Sequence, residues 1–350
     1  MEPGTLRGTT IERLTTGTSL DSEFAISPDG KRLAFTSESQ QVRAWLFPFD
    51  AISGRVTGGG HPVTPPGMEA WGHAITRDGK KLAFSAKRAG RWELWQKSLA
   101  DEKEAAPLVA DDRNSRGFIA WSPDGKRLVY FRGTTAMGGE NQIVLWNGES
   151  EEPLTELNKL GKRATDWSRD GKELLVDREA SDTHRSEIWL LSGAPIFDAK
   201  RAARKIISDP DYDLADAHFS PDGQWIVYRA DIGLPTKLES KLFVTRTSGG
   251  SRDQITDGKH WADKPHWSAD GKTIYFVSGR DGFYNVWGLR FDPSQGKPVG
   301  DAFRVTAFEN PSLMIPLQIP AVYFSLAQDK LVLTMSQTTG SIWILDNVGP

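Results

Sequence analysis

The sequence predicts an all-β fold: a seven-bladed β-propeller of four-stranded antiparallel blades, with the N-terminal strand closing the last blade. Three observations predict it. A turn motif returns at a near-constant period, an aromatic strand follows each copy, and the fourth-strand segment missing after the last copy stands before the first.

The motif is an apolar residue, Ser or Thr, two further residues, Gly, a polar residue and a short apolar stretch. It reads Ile26-Ser27-Pro28-Asp29-Gly30, Ile75-Thr76-Arg77-Asp78-Gly79 and Trp121-Ser122-Pro123-Asp124-Gly125 in the first three copies. Trp167-Ser168-Arg169-Asp170-Gly171, Phe219-Ser220-Pro221-Asp222-Gly223 and Trp267-Ser268-Ala269-Asp270-Gly271 continue the series. A seventh copy, Phe324-Ser325-Leu326-Ala327-Gln328-Asp329, has lost the glycine. The six glycines are separated by steps of 49, 46, 46, 52 and 48 residues, the length of a four-stranded blade. The motif itself is a turn. Pro presets φ, Ser and Asp bond nearby backbone groups, and Gly adopts the left-handed conformation freely. Alternating flanks make it the hairpin between the first and second strands of a blade. Its aspartates are structural.

A third strand in each repeat carries an aromatic: Trp45, Trp95, Trp146, Trp189, Phe243, Trp287 and Trp343. Trp121, Trp167 and Trp267 fill the position before the motif Ser. Nine of the 13 tryptophans are thus repeat positions, suited to packing between blades. Fourth strands are read at Pro62–Thr64, Pro107–Val109, Pro153–Thr155, Lys205–Ile207, Gln254–Thr256 and Arg304–Thr306. None follows Trp343. Ile11 to Thr15 would supply it, so one domain spans 1–350, with tails at 1–10 and 347–350.

Composition narrows the partners. The 350 residues carry a net charge of −3 and no basic run, which argues against nucleic acid. No stretch of about 18 apolar residues exists to cross a membrane. There is no cysteine, hence no disulfide and no thiolate metal site. Met1–Thr5 lacks the features of a secretory leader. The expected compartment is the cytoplasm, or the periplasm or exterior if a leader has been removed.

These repeats resemble the TolB-like (WD40-like) β-propeller family over about residues 11–346, and also the propellers of prolyl-peptidase-type proteins. The resemblance implies the fold and a binding face formed by the loops that lead into first strands and join second to third strands. Two departures stand out. TolB-like proteins carry an extra N-terminal domain, whereas about ten residues precede the first strand here. No Gly-x-Ser-x-Gly elbow of a prolyl-peptidase hydrolase domain is present.

First-strand positions two and four before the motif Ser/Thr share a face and locate a candidate site. Repeats 4 to 7 place Asp166, Asp216, His218, Lys264, His266 and Tyr323 there, where repeats 1 to 3 are mostly small or apolar. Two readings remain open: a hydrogen-bonded, watered channel lining, or a ligand pocket, with His218, His266 and Asp166 as candidate ligands of a divalent metal. Trp71, His73, His260 and Trp261 lie outside the repeat slots near the openings of repeats 2 and 6, as candidate stacking or contact residues. The longest loops between second and third strands are read at 133–141, 177–185 and 230–237.

The leading functional expectation is a non-catalytic scaffold binding a protein or peptide, with no catalytic residue and no cofactor. A metal-assisted polysaccharide lyase or hydrolase at the channel mouth is the second. A ligand-sensing propeller cut from a larger regulator is the third.

Overall fold

Each motif builds the hairpin its residues dictate. In repeat 3 the Gly125 N–H donates to Ser122 O (2.9 Å), and the Arg127 N–H donates to Ser122 Oγ (2.9 Å). Asp124 accepts from the Lys126 N–H at 3.1 Å. Gly125 has φ of 64°, and the equivalent glycines of the other five copies lie at 69–72°. A side chain there would meet left-handed strain. The computed structural model describes residues 20–88, 90–101, 103–109, 114–134, 141–154, 163–192, 203–232, 239–316 and 322–346.

Repeats 2 to 6 form five four-stranded antiparallel sheets in the predicted order. Repeat 5, for example, runs Asp213–Phe219, Trp225–Ile232, Glu239–Arg246 and Arg252–Gln254. Their first strands are consecutive neighbours: Ala70–Ile75, Ser115–Trp121, Arg163–Trp167, Asp213–Phe219 and Ala262–Trp267. Phe324–Leu326 touches both the first and the last of these and completes the circuit. Apolar cores lie between successive sheets, as where Val227, Leu242 and Val244 of repeat 5 meet Trp267, Ile274 and Phe276 of repeat 6.

The tryptophans before the motif Ser do more than fill space. The Trp121 indole N–H donates to Ala74 O (3.0 Å), Trp167 to Ala120 O (3.3 Å) and Trp267 to His218 O (3.1 Å). Each acceptor lies two residues before the motif Ser/Thr of the preceding repeat. One side chain therefore provides both apolar burial and a directional bond across each of these three junctions.

The expected seven blades do not form. Five complete blades are accompanied by one seven-stranded sheet that contains the strands of repeats 1 and 7. The chain separates there into two compact units, 42–336 and the pair 1–41 with 337–350. The second and third strands of repeat 1 run together as Arg32–Asp50, and those of repeat 7 as Lys330–Asp346. In the larger unit, Phe49 and Ala51 N–H donate to Asp329 O and Gln328 O at 3.0 and 3.2 Å, so the third strand of repeat 1 lies beside the second strand of repeat 7. In the smaller unit, a Cβ on Gly340 would meet Glu38 Cγ at 3.6 Å, so the third strand of repeat 7 lies beside the second of repeat 1. The two repeats have exchanged partners. The physical reason is turn chemistry. Repeats 2 and 6 turn between these strands with Gly90 and Gly282, both at positive φ, whereas in repeat 1 Ser37-Glu38-Ser39-Gln40-Gln41 offers no Gly, Asn or Pro and stays extended. Repeat 7 runs straight through Gly340, which is not at positive φ. Ile11–Thr15, expected to close the ring, falls outside the described residues.

The exchange has a consequence at the apolar positions of the smaller unit. Ile26 is 69% exposed and Trp343 54%, whereas the equivalent Trp167 and Trp95 of other repeats are buried. Because the natural chain has no cysteine, the pairing can be checked directly. Glu38→Cys with Gly340→Cys is expected to form a disulfide on mild oxidation, read as loss of two hydrogens by mass spectrometry. Two thiols that stay free would contradict the exchanged strands.

Candidate functional site

The first strands begin with a bulge. Their register against the second strand slips between Ala70 and His73, Ala164 and Asp166, Ala215 and His218, and Asp263 and His266. Phe118, Asp216 and Lys264 sit in the left-handed region at φ of 51°, 51° and 54°, a conformation that costs a non-glycine residue about 1–2 kcal/mol. Bulges re-aim side chains, and Asp216, His218, Lys264 and His266 all line one cavity at the middle of the larger unit.

That cavity is about 70 Å³ and is also walled by His73, Phe118, Arg163 and Tyr323. A larger one, about 370 Å³, lies on the side of the motif turns, where Arg77, Pro123, Arg169, Pro221, Ala269 and Gln328 contribute to its wall. His73, His218 and His266 line both, so three imidazoles mark the passage between them. The binding side was expected at the opposite openings; the roomier cavity is at the turns.

Of the sequence-predicted residues, the structure brings together His73, Asp216, His218, Lys264, His266 and Tyr323. Asp166 contributes to the larger cavity, but its carboxylate is engaged as a brace. It accepts from Trp167 N–H and, across to repeat 5, from Phe219 N–H, both at 2.9 Å. His218 Nδ1 stands 3.6 Å from it. Trp71, Trp261 and His260 do not join the cluster. Trp71 pairs with Trp92 and Trp261 with Tyr284, at ring separations of 5.0 and 4.9 Å. His260 bonds Asp257 at 2.8 Å. Among the described residues no group of three or more His, Cys, Asp or Glu is disposed to hold a metal ion.

Charge dominates the small cavity and its surroundings. Lys264 Nζ lies 3.1 and 3.2 Å from the Asp216 oxygens and 5.2 Å above the Tyr323 ring. Arg163 lies 3.0 Å from Asp177 and over the Phe118 ring. Arg229 reaches Asp263 at 2.7 Å, Asp231 at 3.0 Å and Asp216 at 3.4 Å. Burial opposes ionisation of Asp216, but Lys264, Arg229 and Arg163 outweigh it and hold the carboxyl well below its usual range. Burial also works against the charge on Lys264, and Asp216 and Asp263 more than restore it. For Asp177 and Asp231 burial prevails, and each is pushed up to about 6. Burial takes His73 down to about 3 and His266 well below its ordinary value, His218 adding to the latter.

Arg163, Asp177, Arg229, Asp231 and Asp263 were not singled out from the sequence. Asp177 and Asp231 were read as loop, yet they lie in the strands Glu173–Glu179 and Trp225–Ile232 and are buried. A signal existed. Asp177 and Arg229 both stand six residues after their motif glycine, where repeats 2, 3 and 6 have Ser85, Phe131 and Val277. A charge inside an otherwise apolar strand needs a partner.

The shifts set the pH response. His73 is neutral when folded and takes a proton near pH 6.5 when unfolded, so its contribution is complete above about pH 6.5 and is lost as pH falls towards 3. Asp177 and Asp231 act in the opposite sense, their contribution being complete below about pH 4 and lost as pH rises through about 6. In a comparison of the natural chain with His73→Asn the aspartate terms are common to both. The melting-temperature advantage of the natural chain is expected to shrink as pH is lowered from 7 to 4. An advantage that is constant or grows would contradict a buried neutral His73.

Comparison with known proteins agrees with this fold. Residues 119–344 match the family profile described as TolB beta propeller domain. The chain is 24% identical over 306 residues to dipeptidyl-peptidase 5 of Aspergillus fumigatus, covering 76% of this chain and 42% of that protein. It thus spans less than half the length of that relative. An uncharacterised protein of Agrobacterium fabrum is 25% identical over 269 residues, 72% of this chain and 82% of its own. Among solved structures, a putative TolB from Agrobacterium tumefaciens superposes with a TM-score of 0.61 at 17% identity, over 85% of this chain and 99% of that one. TolB from Acinetobacter baumannii gives 0.54 at 13%, over 86% and 66%. With the family profile covering well over half of its residues, the chain belongs to the TolB β-propeller domain family.

Proposed function

We propose that this propeller is a non-catalytic module that binds an extended protein segment or peptide in its channel. The observation that carries the reading is the cavity of about 370 Å³ on the turn side, narrowing to three imidazoles. That size is within the range of specific ligand sites and suits a few residues of extended chain. The wall alternates apolar surface, including Trp121, Trp167 and Trp267, with polar groups that can bond a peptide backbone. Relatives give a weaker support. The chain resembles part of a protein named as a dipeptidyl-peptidase. Its fold also resembles a prolyl oligopeptidase B solved with a 35mer substrate, at a TM-score of 0.51 and 11% identity.

Selection from a random peptide library against the purified chain is expected to yield related sequences that survive incubation uncleaved. Ala269→Arg, an exposed turn residue on the cavity wall, is expected to weaken them about tenfold or more, or about 1.4 kcal/mol, without lowering the melting temperature. Peptides that bind Ala269→Arg equally well, or are hydrolysed, would overturn the reading.

A further inference from the structure

The charges beside the small cavity do not balance. Among the described residues the cluster counts three cations, Arg163, Arg229 and Lys264, against four carboxylates, Asp177, Asp216, Asp231 and Asp263. Every cation already faces a carboxylate. Both Asp177 oxygens, Asp231 Oδ1 and Asp263 Oδ2 are buried and accept no hydrogen bond, although Asp177 and Asp263 are fully buried and Asp231 is only 8% exposed. A buried acceptor without a donor costs about 1–3 kcal/mol, and more when charged. The cluster is therefore short of one positive charge and of several donors.

A second observation is independent of the acids. His73 is 5% exposed and lines the small cavity, yet its Nε2 has no hydrogen-bond partner. Its Nδ1 lies 2.9 Å from Ser325 Oγ. Ser325 Oγ can accept from Nδ1–H or donate to Nδ1, and in the first tautomer Nε2 is an acceptor with nothing to accept. The adjoining wall repeats the pattern. His266 Nδ1 stands 3.2 Å from Lys264 O, which makes it the donor and leaves its Nε2 as an acceptor too. The rings of His218 and His266 are 4.3 Å apart, and burial, with His218 beside it, disfavours the cationic form of His266. What fits is a small group that brings its own charge and three N–H donors. A cavity of about 70 Å³ has room for roughly two waters at about 30 Å³ each, or for an ammonium and its first carbon.

We propose that the small cavity is a subsite for one primary ammonium group, the N-terminus or a lysine of the peptide that occupies the channel. The inference rests on the peptide-binding reading and adds which end or side chain leads. Asp216, His73 Nε2 and the Tyr323 hydroxyl are the acceptors within the cavity wall. Asp177 and Asp231 stand behind the wall, each facing an arginine; the cluster they belong to has one carboxylate more than it has cations, and that net charge supplies the long-range attraction. The larger cavity, which shares His73, His218 and His266 with the small one, takes the rest of the chain.

The test uses the intact protein at pH 7.5 with n-butylammonium chloride as the probe. Sodium butyrate, n-butanol and potassium chloride at matched ionic strength are the controls. Butylammonium is expected to raise the melting temperature saturably, and the three controls are not. Asp231→Asn, which brings the count to three against three, is expected to be at least as stable as the natural chain and to bind butylammonium about tenfold more weakly. Asp177→Asn provides the same reading should Asp231→Asn fail to fold. Potassium chloride acting as well as butylammonium would assign the site to an inorganic cation and overturn the inference. So would stabilisation by butyrate, or no shift with any probe. Library peptides that bind equally well after acetylation of every amine would overturn it while leaving the peptide reading intact. Saturable butylammonium binding with no peptide selected would remove the peptide reading and leave the ammonium subsite standing.

Discussion

The bond from an indole N–H to the carbonyl of the preceding first strand is the constraint on which much of the remaining structure depends. Trp121, Trp167 and Trp267 each make it. Sheets stacked side by side bury apolar surface well, but burial has no direction and would tolerate sliding. A donor fixed in the middle of a buried ring removes that freedom, because sliding would strand both the N–H and its carbonyl. The inner strands are thereby held at one height, and their side chains meet at one level of the channel. The assembly of His73, His218 and His266 from three separate repeats requires that alignment.

Holding the inner strands at one level also concentrates charge. Repeats 4, 5 and 6 bring Arg163, Asp177, Asp216, Arg229, Asp231, Asp263 and Lys264 into mutual range. A buried ion cluster contributes little net stability, since desolvation offsets most of the attraction. The left-handed backbone at Phe118, Asp216 and Lys264 adds local strain at the same place. Strain and imperfectly paired charge are thus gathered in one channel, and backbone outliers of this kind cluster at functional sites.

Much of this was legible in the sequence, and the failures have identifiable causes. The five complete blades follow from Gly79 to Gly271, because a turn with Ser, Asp and Gly at fixed offsets has one local solution and apolar flanks fix its faces. The channel residues Asp216, His218, Lys264, His266 and Tyr323 were reachable by counting back from the motif. Their charged partners were not, since Asp177 and Arg229 lie on second strands and meet the first strands only through tertiary packing. The blade count failed at Ser37–Gln41. A period detects repeats but says nothing about which strands pair, and pairing is decided by whether the chain turns or runs straight. Repeats 1 and 7 preserve the pattern of strands while exchanging partners, a difference invisible to any count of motifs.

The central claim, that indole donors set the height of the inner strands, is tested most directly by removing the donor and keeping the ring. Equilibrium unfolding of Trp121→Phe, Trp167→Phe and Trp267→Phe should show a loss of about 1–3 kcal/mol each, the cost of an orphaned buried acceptor. Trp343→Phe, half exposed and without such a bond among the described residues, should stay within about 0.5 kcal/mol of the natural chain. Three channel variants no less stable than Trp343→Phe would contradict the account.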